Sequence, residues 1–252
     1  MADWRDWALK ACLFFLSRFP LVNAVTLLMV IGATAIREED SPLPPKLVYG
    51  HVIVQVVCGM AYQLKWKRKE VSLILCGQML HLAYVALTYP KLQYSDWLRV
   101  KIASRLLGPV GVYLYFADLL NKTSSKQLRK SSEAILGTYL VCISYLLLNS
   151  SDDKNGLKAH LPGGDWALYV IVGMLGACSV ALFSGMYLRD ACYLTIGLIT
   201  LYSVFIEGDI DFWTKRRRVP YWVHIRLILD NVCVIVGLIF MRLMHGRKMK
   251  ID

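Results

Sequence analysis

Long apolar runs separated by short charged clusters restrict this chain more than any other feature of its sequence. The runs cover residues 8–36, 47–64, 71–89, 100–120, 131–148, 166–188, 191–206 and 222–243. A helix of about 20 residues crosses the hydrocarbon core of a bilayer, where only helices and closed barrels can satisfy every backbone polar group. The pattern therefore predicts an all-α, polytopic membrane protein with about eight transmembrane helices. The fifth and seventh runs are short. The first is too long for one straight span and carries Ser17, Arg18 and Pro20. Because proline removes a helical hydrogen bond, a kink or an interfacial helix leading into a span from about Phe19 is expected there.

Composition argues the same way. Apolar residues make up 56% of the chain, above the roughly 45–50% of soluble domains. The net charge of +11 does not indicate nucleic-acid binding, because the lysines and arginines flank the apolar runs, where they set topology and meet anionic headgroups. Cys12, Cys58, Cys76, Cys142, Cys178, Cys192 and Cys233 lie in or beside apolar runs without CxxC spacing, so they read as small core residues. The chain starts with two acids and two tryptophans rather than a basic signal-peptide region, so the first helix is expected to be retained.

Lysine and arginine are more abundant in the segments that share a side with the N-terminus, which predicts cytoplasmic termini and an outward-facing segment 149–165. Of two glycosylation sequons, Asn149-Ser150-Ser151 then lies outside and Asn121-Lys122-Thr123 inside. Lys248 and Lys250 fit a KxKxx tail of the kind read as a retrieval address, so the endoplasmic reticulum or another endomembrane is expected rather than the plasma membrane.

The loops between the first four runs are long, short and long, and the last four runs repeat that order. This predicts two four-helix halves, 1–120 and 131–252, joined by a cytoplasmic linker at 121–130. At an offset of 125, Trp97 falls on Trp222, Lys101 on Arg226 and Arg105 on Asp230. An even number of spans per unit makes the repeats parallel, related by an axis along the membrane normal. A charge near the middle of a span costs roughly 2.5–3.5 kcal/mol on insertion scales and normally has a partner. Arg105 and Asp230 each lie eight residues beyond their tryptophan, about 12 Å along the helix. They are the expected intramembrane charge pair, or a ligand site. Arg226, one turn before Asp230 on the same face, is the rival partner.

Little else suggests chemistry. The five histidines lack HxxxH or HExxH spacing, and His51 and His81 read as a packed or interfacial pair rather than metal ligands. Asp209 and Asp211 precede four basic residues and read as salt bridges within the loop. LPGGD at 161–165 reads as a turn leading into Trp166 as an interfacial anchor. Gly108-Pro109-Val110-Gly111 is expected to kink the fourth span or expose its backbone. With no nucleophile, metal cluster or acid/base constellation in view, neither an enzyme nor a cofactor is expected.

The stretches YSDWLRVKIASR (94–105), ILGTYLVCISYLL (135–147), HLPGGDW (160–166), LFSGMY (182–187) and FWTKRRRVPYW (212–222), with SRFP at 17–20, resemble the transmembrane protein 101 family. That resemblance implies an eight-span membrane protein with no assigned enzymatic activity, linked at family level to positive regulation of NF-κB signalling. Each half is also similar, more faintly, to DoxX-like four-helix membrane domains, through Arg18 and Gly59 in the first half and Gly173 and Gly176 in the second. The expected function is a non-enzymatic signalling, trafficking or scaffold protein in the lipid bilayer with an unknown protein partner. The alternative is a carrier or binding protein for a small amphipathic solute or lipid at the interface of the halves.

Overall fold

A computed structural model describes residues 2–36, 45–89, 94–120 and 125–244. These residues are helical throughout, with no strand among them. The helices are α1 (Ala2–Ile36), α2 (Pro45–Gln63), α3 (Arg68–Thr88), α4 (Asp96–Leu119), α5 (Lys126–Asn149), α6 (Ser151–His160), α7 (Gly164–Ser184), α8 (Leu188–Leu201) and α9 (Tyr221–Met244). Helix α8 runs on as a π-helical turn, Tyr202–Ile206, and a second π turn spans Phe212–Arg216. Six helices are long and apolar enough to cross a membrane: α1, α3, α5, α7, α8 with its π turn, and α9. The other two long helices are α2 and α4, whose apolar runs are interrupted by His51 and Gln55 on α2 and by Lys101, Arg105 and Asp118 on α4.

The first helix runs through Pro20 as one element, not as an interfacial helix leading into a separate span. Pro20 has no N–H to give the carbonyl of Leu16, and the Tyr113 hydroxyl of α4 donates to that carbonyl instead, at 2.7 Å. A tertiary bond thus replaces the helical one, as buried breaks in membrane helices require. Helix α5 begins at Lys126, inside the segment 121–130 expected as linker, with the Ser125 hydroxyl accepting from the Leu128 amide.

The central pair is α4 and α9. Both have 24 residues, and α9 begins and ends 125 positions after α4. They run parallel and in register, with Arg105 against Asn231 and Phe116 against Phe240. Glycines bring them close: a Cβ on Gly108 would lie 2.3 Å from a Val234 methyl, and one on Gly237 2.2 Å from a Val112 methyl. The GPVG sequence therefore serves a tight crossing inside an unbroken helix rather than an unwound segment. Around this pair α4 touches α3 and α5, α9 touches α1 and α8, and the remaining neighbours are α1 with α2, α2 with α3, α5 with α7 and α7 with α8. Exchanging α1, α2, α3 and α4 for α5, α7, α8 and α9 turns each of these pairs into another of them.

Candidate functional site

The N-terminal half of α4 puts Lys101 and Arg105 one turn apart on a buried face. The π turn after α8 widens the helix and brings Ser203 and Glu207 toward them. Arg105 donates through Nη2 to Glu207 Oε1 at 2.8 Å and through Nη1 to Asn231 Oδ1 at 2.7 Å and Tyr139 Oη at 3.3 Å. Its guanidinium also lies over the Tyr202 ring. Asn231 holds the other Glu207 oxygen at 2.7 Å and the Ser203 hydroxyl at 2.9 Å. Lys101 reaches Asp153 at 2.7 Å and Glu207 at 3.6 Å, with its ammonium 4.0 Å from the Trp213 ring centre. Two cations and two anions thus cancel in a region almost free of water contact, with Lys101, Arg105, Asp153 and Glu207 at 1%, 1%, 0% and 0% exposure. Such a network holds its members only because nearly every donor and acceptor is met; Arg105 Nε and Asp153 Oδ2 are the atoms of these side chains without a partner.

The helix α6 closes this cluster from outside the spans. Ser150 caps it, accepting from the Asp153 amide at 3.2 Å, so that Asp153 points inward. Burial alone would lift the Asp153 carboxyl, but Lys101, the Tyr202 hydroxyl at 2.9 Å and the charge of Arg105 hold it below the usual carboxylate range. Further out, Arg217 pairs with Asp152 at 2.6 Å, and His160 meets Asp209 at 2.9 Å. The Asp209 hydrogen bond raises the His160 pKa, and the same contact lowers that of Asp209. Asp211 pairs with Lys215 at 2.8 Å within its own loop.

The second region lies between α1, α2, α3, α4 and α9. It is a cleft of about 660 Å³, counting its open mouth, walled by Leu27, Val30, Leu82, Ile102, Leu106 and Leu227, with Tyr94 among its lining. Arg226 and Asp230 line it too, at 9% and 2% exposure. Arg226 Nε and Nη2 and Asp230 Oδ1 have no hydrogen-bond partner, and neither residue makes an ion pair among the described residues. The same helices hold further unmatched polar atoms: Asn23 Nδ2 on α1, both amide atoms of Gln55 on α2, and Gln78 Oε1 on α3. On α2 and α3, His51 and His81 pack ring to ring, 3.1 Å between Nε2 and Nδ1.

The expected pairing of Arg105 with Asp230 is therefore corrected. Arg105 is paired with Glu207 and Asn231, while Asp230 lines the cleft beside Arg226. The reason is rotation about α9. In-register packing brings α4 against Asn231, and a step of one residue swings Asp230 by about 100°, toward the cleft. Lys248, Lys250 and Asn121 lie outside the described residues.

Sequence reasoning missed Asp153 and Glu207. A signal for Asp153 was present, since Ser150-x-x-Asp153 has the serine-to-acid spacing of a helix start. Glu207 gave none, because the π turn that aims it leaves no trace in apolar periodicity.

The model of the TMEM101 protein family matches residues 5–244, and the chain belongs to that family. No solved structure matches it.

Proposed function

We propose that this TMEM101 family protein is a non-catalytic, eight-span membrane protein built from two parallel four-helix halves, and that it binds a small amphipathic molecule in the cleft beside α9. The observation that carries this reading is the pair Arg226 and Asp230, deeply buried in an otherwise apolar cleft with unmatched polar atoms on both. Buried polar groups in a membrane normally find partners or mark a path for a solute, and the cleft has the apolar lining with a few polar groups that small-molecule sites share.

Eight spans follow from counting α2 and α4 as crossings. Helix α4 runs parallel to α9 over the same length, and its Lys101 and Arg105 are turned inward and neutralised, so its polarity faces protein and not lipid. The exchange symmetry of the helix neighbours and the 125-residue offset support a duplicated unit. With cytoplasmic termini, both the charge cluster and the cleft lie toward the non-cytoplasmic end. Taken with the family link to NF-κB signalling, the chain would be a ligand-responsive membrane component of that response.

The test is native mass spectrometry of the protein purified in mild detergent. A bound amphipath should be released on activation, and Val30→Trp, which fills the cleft, should lower its occupancy. Wild-type protein without any bound amphipath, unresponsive to every added one, would refute the reading.

A further inference from the structure

Resting on that reading, we infer that the occupant of the cleft is a zwitterionic amphipath, its phosphate or carboxylate gripped by Arg226 and its N–H-bearing ammonium by Asp230, with its chain along the apolar wall. The two side chains are four residues apart, on one face of α9. Counted from Tyr221, Arg226 is about 8 Å and Asp230 about 14 Å along the helix. The ligand's two charges therefore follow one another along α9.

Charge decides the class. A pure anion would satisfy Arg226 and be repelled by Asp230, a pure cation would do the reverse, and an uncharged chain would leave the free hydrogen-bonding atoms of both unmatched, the two charges then having only their mutual attraction along α9. Only a ligand carrying both signs meets both, and each contact is then a charge-assisted hydrogen bond, about twice as strong as a neutral one.

The unpartnered atoms refine this. Arg226 Nε and Nη2 form one edge of the guanidinium fork, the edge that takes two oxygens of a phosphate or carboxylate at once. Asp230 offers the single oxygen Oδ1, which suits one N–H of a primary ammonium and has nothing to bond in a trimethylammonium. Leu27, Val30, Leu82 and Leu106 supply the surface for a hydrocarbon chain.

The experiment is scintillation-proximity binding of labelled lysophosphatidylethanolamine to the purified full chain in detergent. Its competitors are lysophosphatidylcholine, lysophosphatidic acid, an N-acyl amino acid with no ammonium, a long-chain primary amine and free phosphoethanolamine. Lysophosphatidylethanolamine should outcompete each of the others by about tenfold or more, the loss expected for one charge-assisted bond. Free phosphoethanolamine, without a chain, should compete least; if it matched the lyso-lipid, the occupant would be a soluble solute and the chain's part in the inference would fall. Asp230→Asn should abolish the preference for ethanolamine over choline, and Arg226→Lys should weaken every phosphate lipid while keeping that preference. Equal competition by all chain-bearing probes, unchanged in both variants, would overturn the headgroup inference and leave the amphipath reading standing. No saturable binding of any probe, to wild type or to Val30→Trp, would sink both.

Discussion

Arg105 and Asp230 occupy corresponding places on two parallel helices of equal length, yet one is held by ion and hydrogen-bond partners beside a small cavity and the other borders a larger cleft without them. The difference comes from what the neighbouring chain delivers. Beside Arg105, the π turn after α8 supplies Glu207, and α6 supplies Asp153 for Lys101. Beside Asp230, the connection after α3 supplies Tyr94, and Arg99 in the first turn of α4 is occupied with the carbonyls of Ala86, Leu87 and Tyr89 at the end of α3. Among the described residues no cation forms an ion pair with Asp230, although Arg226, four residues before it on the same helix, attracts it. The same helix geometry thus gives a closed charge network at one place and a cleft with unmatched polar atoms at the other.

The largest expected effect breaks this contrast directly. Glu207→Ala strands Arg105 in a dry interior and should lower stability by about 3–5 kcal/mol, the range for removing one member of a buried pair. Arg105→Ala should do the same, and the double variant should lose clearly less than the two together. Asp230→Asn, by comparison, removes a carboxylate that has no ion partner and should cost about 1 kcal/mol or less. Thermal melts of the four proteins in one detergent measure all of this. Equal losses for Glu207→Ala and Asp230→Asn would show that both carboxylates are structural, and the contrast between the two regions would disappear.

A smaller effect separates satisfied from unsatisfied polar groups within the first half. Tyr113→Phe removes the donor to the Leu16 carbonyl and should cost about 1 kcal/mol. In a Pro20→Ala background the backbone N–H restored at that position can take the carbonyl, so the Tyr113→Phe loss should shrink. Additive losses would mean that Tyr113 does not compensate for the proline. If the losses couple, the one carbonyl freed by the proline is matched by a side chain, in contrast to the unmatched Arg226 and Asp230.

What was legible in the sequence follows from which signals are local. Apolar runs of span length located the long helices, and the 125-residue offset found the α4–α9 pair because both helices keep the same register from tryptophan to charge. Equivalent depth was readable, whereas azimuth was not: a rotation of one residue puts Asn231 where Asp230 was expected, and depth says nothing about that. The partners Glu207 and Asp153 come from a π turn and a short loop helix, and both depend on tertiary closure. The cleft was invisible for a related reason. It is set by which side chains five helices turn toward one another, and a hydropathy pattern carries no information about that.

The smallest expected effect sharpens the contrast at its outer edge. His160 and Asp209 are tied across the loop that covers the closed cluster, outside the spans, with His160 raised and Asp209 lowered by their shared hydrogen bond. Because the folded-state pKa of His160 lies above its unfolded value of about 6.5, its contribution is complete below that value and fades as pH rises through the folded pKa. For Asp209 the sign is reversed: its contribution is present above about 3.9, the unfolded value, and fades as pH falls through its lowered folded pKa. The bond is therefore strongest at mildly acidic pH, between the two unfolded values. Both groups are partly exposed, so the pair contributes at most about 1 kcal/mol, enough to alter local opening but not global melting. Hydrogen exchange of the α6 amides, corrected for intrinsic rate, should be slowest near pH 5–6 and rise toward pH 8, and His160→Gln should flatten that dependence. The α1–α3 amides around the cleft should show no such profile. A matching pH profile there would mean that the two regions open together, and the independence of lock and cleft would be lost.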